Sequence, residues 1–158
     1  MLNIYVDADA CPVKEEICRV ALRHNLQVYL VSNSRLNMTV NKNVHKIQVG
    51  SDLDAADNWI EKHIETGDIV VTLDILLAER CLKKGVNTLS PTGRIFNNDT
   101  IGIAKAMRDL RAHLREIGAA SSYNASFSKQ DRSRFLQSLE EMIQAIKIRS
   151  EQDFDHFS

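Results

Sequence analysis

Short apolar runs alternate with stripes of helical period along most of the chain. Residues 2–6 (LNIYV) are mostly apolar and stop at Asp7. After Pro12, which suits the first turn of a helix, Val13, Ile17, Val20 and Ala21 recur at helical spacing. Residues 26–32 (LQVYLVS) and 44–49 (VHKIQV) read as strands, with a polar, asparagine-rich loop between them. Ala55, Ala56, Trp59, Ile60 and Ile64 form one side of a second helix. Ser51 and Asp54 have the spacing of a capping box at its start. Residues 69–73 (IVVTL) are continuously apolar apart from Thr72, as a central parallel strand covered on both faces should be.

A third helix is expected from about Ile75 to Lys84, with Gly85 as its C-terminal stop. Residues 86–90 give a fifth strand and residues 91–93 a turn. Helical patterns return over 100–117 and after Asp131, which can cap the last helix. Residues 118–128 between them are small and polar, and read as a mobile loop. This order predicts an α/β fold: a three-layer sandwich with a mainly parallel sheet of about five strands. Residues 1–149 are expected to form a single domain, and 150–158 an acidic tail that frays.

The pattern also places the chemistry. In an open parallel sheet, ligands gather beyond the carboxyl ends of the strands. Asp7 and Asp9 follow the first strand and Asp74 follows the fourth, while Asp54 and Asp57 share one face of the second helix. Carboxylates that converge repel one another unless a cation joins them, and oxygen ligands suit Mg2+ or Mn2+. The expected metal ligands are therefore Asp7, Asp9, Asp54, Asp57 and Asp74. The expected catalytic set is Asp7, Asp9, Asp57 and Asp74, which would activate water on a phosphodiester. Helix capping is the competing explanation for Asp9, Asp54 and Asp74.

Charge distribution adds a second wall to that picture. Net charge is -1, yet residues 94–150 carry ten Lys/Arg against six Asp/Glu. Arg108, Arg111 and Arg115 fall on one helical stripe. The expected substrate-binding residues are Lys14, Thr72, Arg94, Arg108 and Arg132, with arginine forks matched to phosphate oxygens. Cys11 starts a helix near the acids, without a histidine nearby to serve as its base. Three cysteines without metal-ligand spacing, and no membrane-length apolar run, point to the reducing cytoplasm and away from a membrane. The oligomeric state stays open, a homo-oligomer included.

The motifs Asp7-Ala8-Asp9-Ala10-Cys11-Pro12-Val13-Lys14, Gly50 through Asp57 and Gly67-Asp68-Ile69-Val70-Val71-Thr72 resemble those of the bacterial YaiI/YqxD family. The likeness continues through Leu77-Ala78, Lys84-Gly85, Gly93, Arg108 and Asp131-Arg132-Ser133-Arg134-Phe135. It implies a fold similar to PIN-like metal-dependent ribonuclease domains, with the acids named above on the metal and RNA as a partner. Two stretches depart from the family pattern. Ser121 through Ser126 replace a Thr-Gly-Gly-Pro segment, and Thr92 replaces an arginine. The expected function is thus a divalent-metal-dependent phosphodiesterase, most directly a ribonuclease. The alternatives are a non-catalytic regulatory or nucleic-acid-binding protein, or a small-molecule phosphatase built on the Asp7-x-Asp9 spacing.

Overall fold

The computed structural model describes residues 2–118 and 126–157, the last five of these by backbone alone. Strand β1 (Asn3–Asp7) is apolar at Ile4, Tyr5 and Val6 because both of its faces are covered. Ile4 and Val6 point into one buried cluster and Tyr5 into another, as strand alternation requires. A 3-10 turn at Ala8–Ala10 leads to α1 (Lys14–His24), then β2 (Gln27–Ser32) and β3 (Val44–Gln48). The polar stretch between β2 and β3 is a crossover without a helix. Its Leu36, Met38 and Val40 nonetheless pack on the core.

Helix α2 (Ala55–His63), β4 (Ile69–Val71), α3 (Ile75–Lys83) and β5 (Asn87–Leu89) follow. Then come β6 (Ile95–Phe96), α4 (Ile101–Glu116) and α5 (Lys129–Phe157). The fold is α/β, with a six-stranded, mostly parallel sheet in the order β3-β2-β1-β4-β5-β6, flanked by helices. Among the described strands only β6, a sixth beyond the five expected, runs antiparallel. It is two residues long and has no periodicity for the sequence to reveal.

Residues of α1 and α5 share a cluster with Ile4 and Val6, while those of α2 and α3 share one with Tyr5 and Val70. The helices leaving β1 and β4 therefore depart to opposite faces. These two strands are hydrogen-bonded neighbours, with Val6 in register with Val71. Such a reversal opens a crevice at the carboxyl ends of the two strands.

Local signals explain the helix ends unevenly. Asp74 caps α3 by accepting from the backbone N–H of Leu76 at 2.9 Å and of Leu77 at 3.2 Å. The expected Ser51/Asp54 capping box does not form, since Asp54 stands at the N-cap of α2 without a side-chain cap bond. A reciprocal box forms at α5 instead. The Ser128 N–H donates to Asp131 and the Asp131 N–H donates to Ser128, each at 3.0 Å.

Gly93 ties the β5–β6 turn to α5. Its φ is 91°, and a Cβ there would lie 2.7 Å from the Arg134 carbonyl carbon. The Ser138 hydroxyl donates to the Gly93 carbonyl at 2.7 Å. This close approach fixes the turn that carries Thr92 and Arg94. The expected loop at Ser121–Ser126 lies almost wholly outside the described residues.

Candidate functional site: a two-walled cavity at the switch point

A cavity of about 800 Å3 opens where β1 and β4 diverge. Asp7 and Asp74 line it together with Arg94, Arg108, Arg111 and Arg115. Leu73, Phe96, Ala104 and Met107 supply apolar wall between them. Asp7 arrives at the end of β1 and Asp74 at the start of α3, so the strand pairing alone makes them neighbours.

Thr72 links the two acids. Its hydroxyl donates to Asp7 Oδ2 at 3.0 Å, and its oxygen accepts from the Asp74 N–H at 2.9 Å. Burial raises the Asp7 pKa above the ordinary carboxylate value. The Thr72 hydrogen bond opposes this, and the charges of Asp74 and Asp9 reinforce it.

Asp57 sits behind this pair, only 8% exposed. Its pKa is pushed up to about 7, first by burial, then by the charge of Asp74 and a hydrogen bond with that carboxyl, then by Asp7. A nearby Arg80 guanidinium, 3.7 Å away, opposes the shift. Arg80 also bonds Glu61 at 2.7 Å. The raised pKa of Asp57 and the Arg80 guanidinium beside it thus relieve part of the repulsion among the acids.

The remaining acids go elsewhere. Asp9 does not cap α1, whose N-cap is Val13. It turns to the exit of β2, accepting from the Ser32 hydroxyl, the Asn33 N–H at 2.9 Å and the Ser34 hydroxyl at 3.4 Å. Burial alone would raise its pKa, but these bonds and Lys14 hold it below the ordinary value. Asp54 is exposed.

The expected Mg2+ or Mn2+ centre is therefore overturned, and the metal-dependent phosphodiesterase or nuclease with it. Among the described residues, no three His, Cys, Asp or Glu side chains are grouped so as to hold a metal ion. The donor set does not fit one either. Asp74 Oδ1 is committed to two backbone N–H groups, and Asp9 is bound by hydroxyls. A hard cation needs several free, ionised oxygens around one point.

The basic candidates also divide. Arg94 and Arg108 line the cavity. Arg94 lies over the Phe96 ring at 5.4 Å, and among the described residues Arg108 makes only an exposed 3.5 Å contact with Asp109. Lys14 is turned inward, donating to the carbonyls of Ala8 at 3.3 Å and Cys11 at 3.1 Å. Arg132 bonds the buried Glu16 at 2.7 Å and covers Phe127, so it braces α5 against α1. Cys11 is buried, which pushes its thiol up to about 11. It is no nucleophile at neutral pH.

Sequence reasoning missed Arg80 and Ser32 as partners of the acids. Arg80 in the last turn of α3 reads as a charge suited to the helix dipole, with no signal directing it to Asp57. Ser32 reads as the polar end of a strand.

An α/β protein with its cavity at a strand-order reversal is the class that these features define. The chain belongs to the YaiI/YqxD family: residues 5–145 match the model of that family, described as "Uncharacterized BCR". It is 51% identical over 144 residues to a UPF0178 protein of Rhizobium etli, covering 91% of this chain and 93% of that one. A UPF0178 protein of Agrobacterium fabrum is 51% identical over 145 residues, covering 92% and 95%. One from Rhodospirillum rubrum is 51% identical over 147 residues, covering 92% and 98%. No solved structure matches the chain. Among the described residues, no helix is long and apolar enough to cross a membrane.

Proposed function

We propose that the protein is a non-catalytic binding protein for single-stranded RNA, which it grips by its phosphates. The observation that supports this reading is the shared orientation of Arg94, Arg108, Arg111 and Arg115 toward one cavity. Arg108, Arg111 and Arg115 span about 10 Å of helix axis at 1.5 Å per residue, a rail for successive phosphates. Guanidinium forks match phosphate oxygens and remain charged at every working pH. Asp7 and Asp74 in the same cavity repel phosphate, so the strand's phosphates are held along α4. A net charge of -1 makes this attraction local to the rail rather than a property of the whole surface.

Strand order and the helices on opposite faces support a three-layer, PIN-like description of the fold. The buried free thiols of Cys11, Cys18 and Cys81 support a cytoplasmic, reducing location. Fluorescence anisotropy with a labelled RNA of about 12 nucleotides tests the binding reading. The affinity is expected to fall with log salt at a slope of roughly -2 to -3, the value for three to four contacts on a single strand. No measurable binding at about 50 mM salt would end this reading.

A further inference from the structure

We infer that the cavity selects a nucleotide whose base carries an exocyclic amino group, guanine above all, with Asp7 reading the base edge. The inference rests on the RNA-binding reading above and says which unit of the strand enters the cavity. It starts from the two kinds of charge that line the cavity. Phosphate is drawn to Arg108, Arg111 and Arg115 and repelled by Asp7 and Asp74. A ligand that fills the space must therefore present hydrogen-bond donors to the acidic side.

Asp7 is placed to receive them. Its Oδ2 accepts from Thr72, while among the described residues no donor is recorded at Oδ1. Asp74 has less to offer, since its Oδ1 serves the start of α3 and its carboxyl also meets Asp57. Between the walls the lining is apolar and open. Leu73 is 51% exposed and Met107 44%, more than side chains with a permanent cover would be. Arg94 lies over Phe96, and both line the cavity, a guanidinium and an aromatic ring on which a base can stack.

A flat, partly apolar group with donors at one edge and a phosphate at the other fits all three surfaces. Proteins read unstacked RNA bases in this way, by stacking on guanidinium planes and bonding the base edge. Carboxylates accept from exocyclic amino groups. Guanine has a ring N–H beside its amino group, so it gives one carboxylate two adjacent donors. Cytosine and adenine bring one amino group. Uracil flanks its single N–H with two carbonyl oxygens, which a carboxylate repels. Inorganic phosphate covers none of the apolar wall.

The test is competition against a bound, labelled oligouridylate by the four ribonucleoside monophosphates and by inorganic phosphate, at one salt concentration. Guanosine monophosphate is expected to bind at least about tenfold tighter than uridine monophosphate, the discrimination of one good bidentate contact. Asp7→Asn is expected to bring that ratio within about twofold. The wild-type series stands by itself if the variant does not fold. Equal affinities of the four nucleotides and phosphate overturn the inference and leave the phosphate rail intact. Failure of every RNA to bind overturns the rail, and direct calorimetry with the four monophosphates then decides the base preference. An oligouridylate carrying one guanine separates the two sources of the unit. Tighter binding than the plain oligomer assigns it to a strand, and a preference confined to monophosphates assigns it to the free nucleotide.

Discussion

Asp57 and Asp74 keep their charge inside the protein's own network, whereas Arg108, Arg111 and Arg115 hold theirs out from α4 toward solvent. Both groups border the same switch-point crevice. The acids lie on elements packed against the sheet, so burial and mutual repulsion govern them. One retains a proton to about pH 7, and another is occupied by a helix end. The arginines lie on a helix that rests mainly on α3 and Phe96 through Ile101 and Ala104. Their ionised form costs little, and few partners compete for it. Convergence of charge thus has opposite meanings on the two walls: in the buried set it is settled internally, and in the exposed set it is available to a ligand.

Removing the exposed set should have the largest effect. The triple variant Arg108→Ala/Arg111→Ala/Arg115→Ala should lose about 100-fold in RNA affinity and flatten the salt slope by about 2. Anisotropy titrations at several salt concentrations read both quantities. A retained slope would place the binding charge elsewhere.

Gly93→Ala tests whether the β5–β6 turn holds the Arg94 wall in place. A Cβ in contact with the α5 backbone at positive φ should cost about 2 kcal/mol of stability, measured by denaturant unfolding. An unchanged midpoint would show that the turn can back away from α5.

Asp57→Asn probes the buried wall. The folded-state pKa of Asp57 is about 7, above the ordinary 3.8. The folded protein therefore binds more protons than the unfolded chain between these values, and its stability falls as pH rises through the window. The amide should remove this loss, leaving the variant about 1 kcal/mol more stable than wild type at about pH 8 and flattening the profile between about pH 4 and 7. Parallel pH profiles for the two proteins would contradict a retained proton.

The smallest effect is expected at Asp54→Ala, below about 0.5 kcal/mol, because the side chain makes no cap bond. A loss near 1 kcal/mol would mean that Asp54 caps α2 in solution.

Much of this architecture was legible before the structure. The continuous apolar run at Ile69–Val71 announced a strand covered on both faces, and β4 lies between β1 and β5. Asp74 was readable as a cap and Gly85 as a helix stop, since both act within a turn of their own position. The arginine stripe was readable too, because a helix repeats its faces whatever it packs against. The fate of Asp9 was not. Its partners Ser32, Asn33 and Ser34 come from the next strand exit, brought close by the β1–β2 pairing. Spacing along the chain also favoured the Ser51/Asp54 box, while the working pair formed at Ser128 and Asp131.

By itself the sequence determined the succession of strands and helices apart from β6, the membership of the YaiI/YqxD family and which acids end the strands. Those properties follow from side-chain periodicity and backbone preferences, which act over a few residues. Only the tertiary structure decided that Asp57 would be buried near Asp74 and Arg80, that Asp9 would leave the group and that the α4 arginines would line the same cavity as Asp7. The reason is electrostatic. A carboxylate's state depends on its burial and on every charge within a few ångströms, and those neighbours come from elements that only the strand order and crossovers bring together.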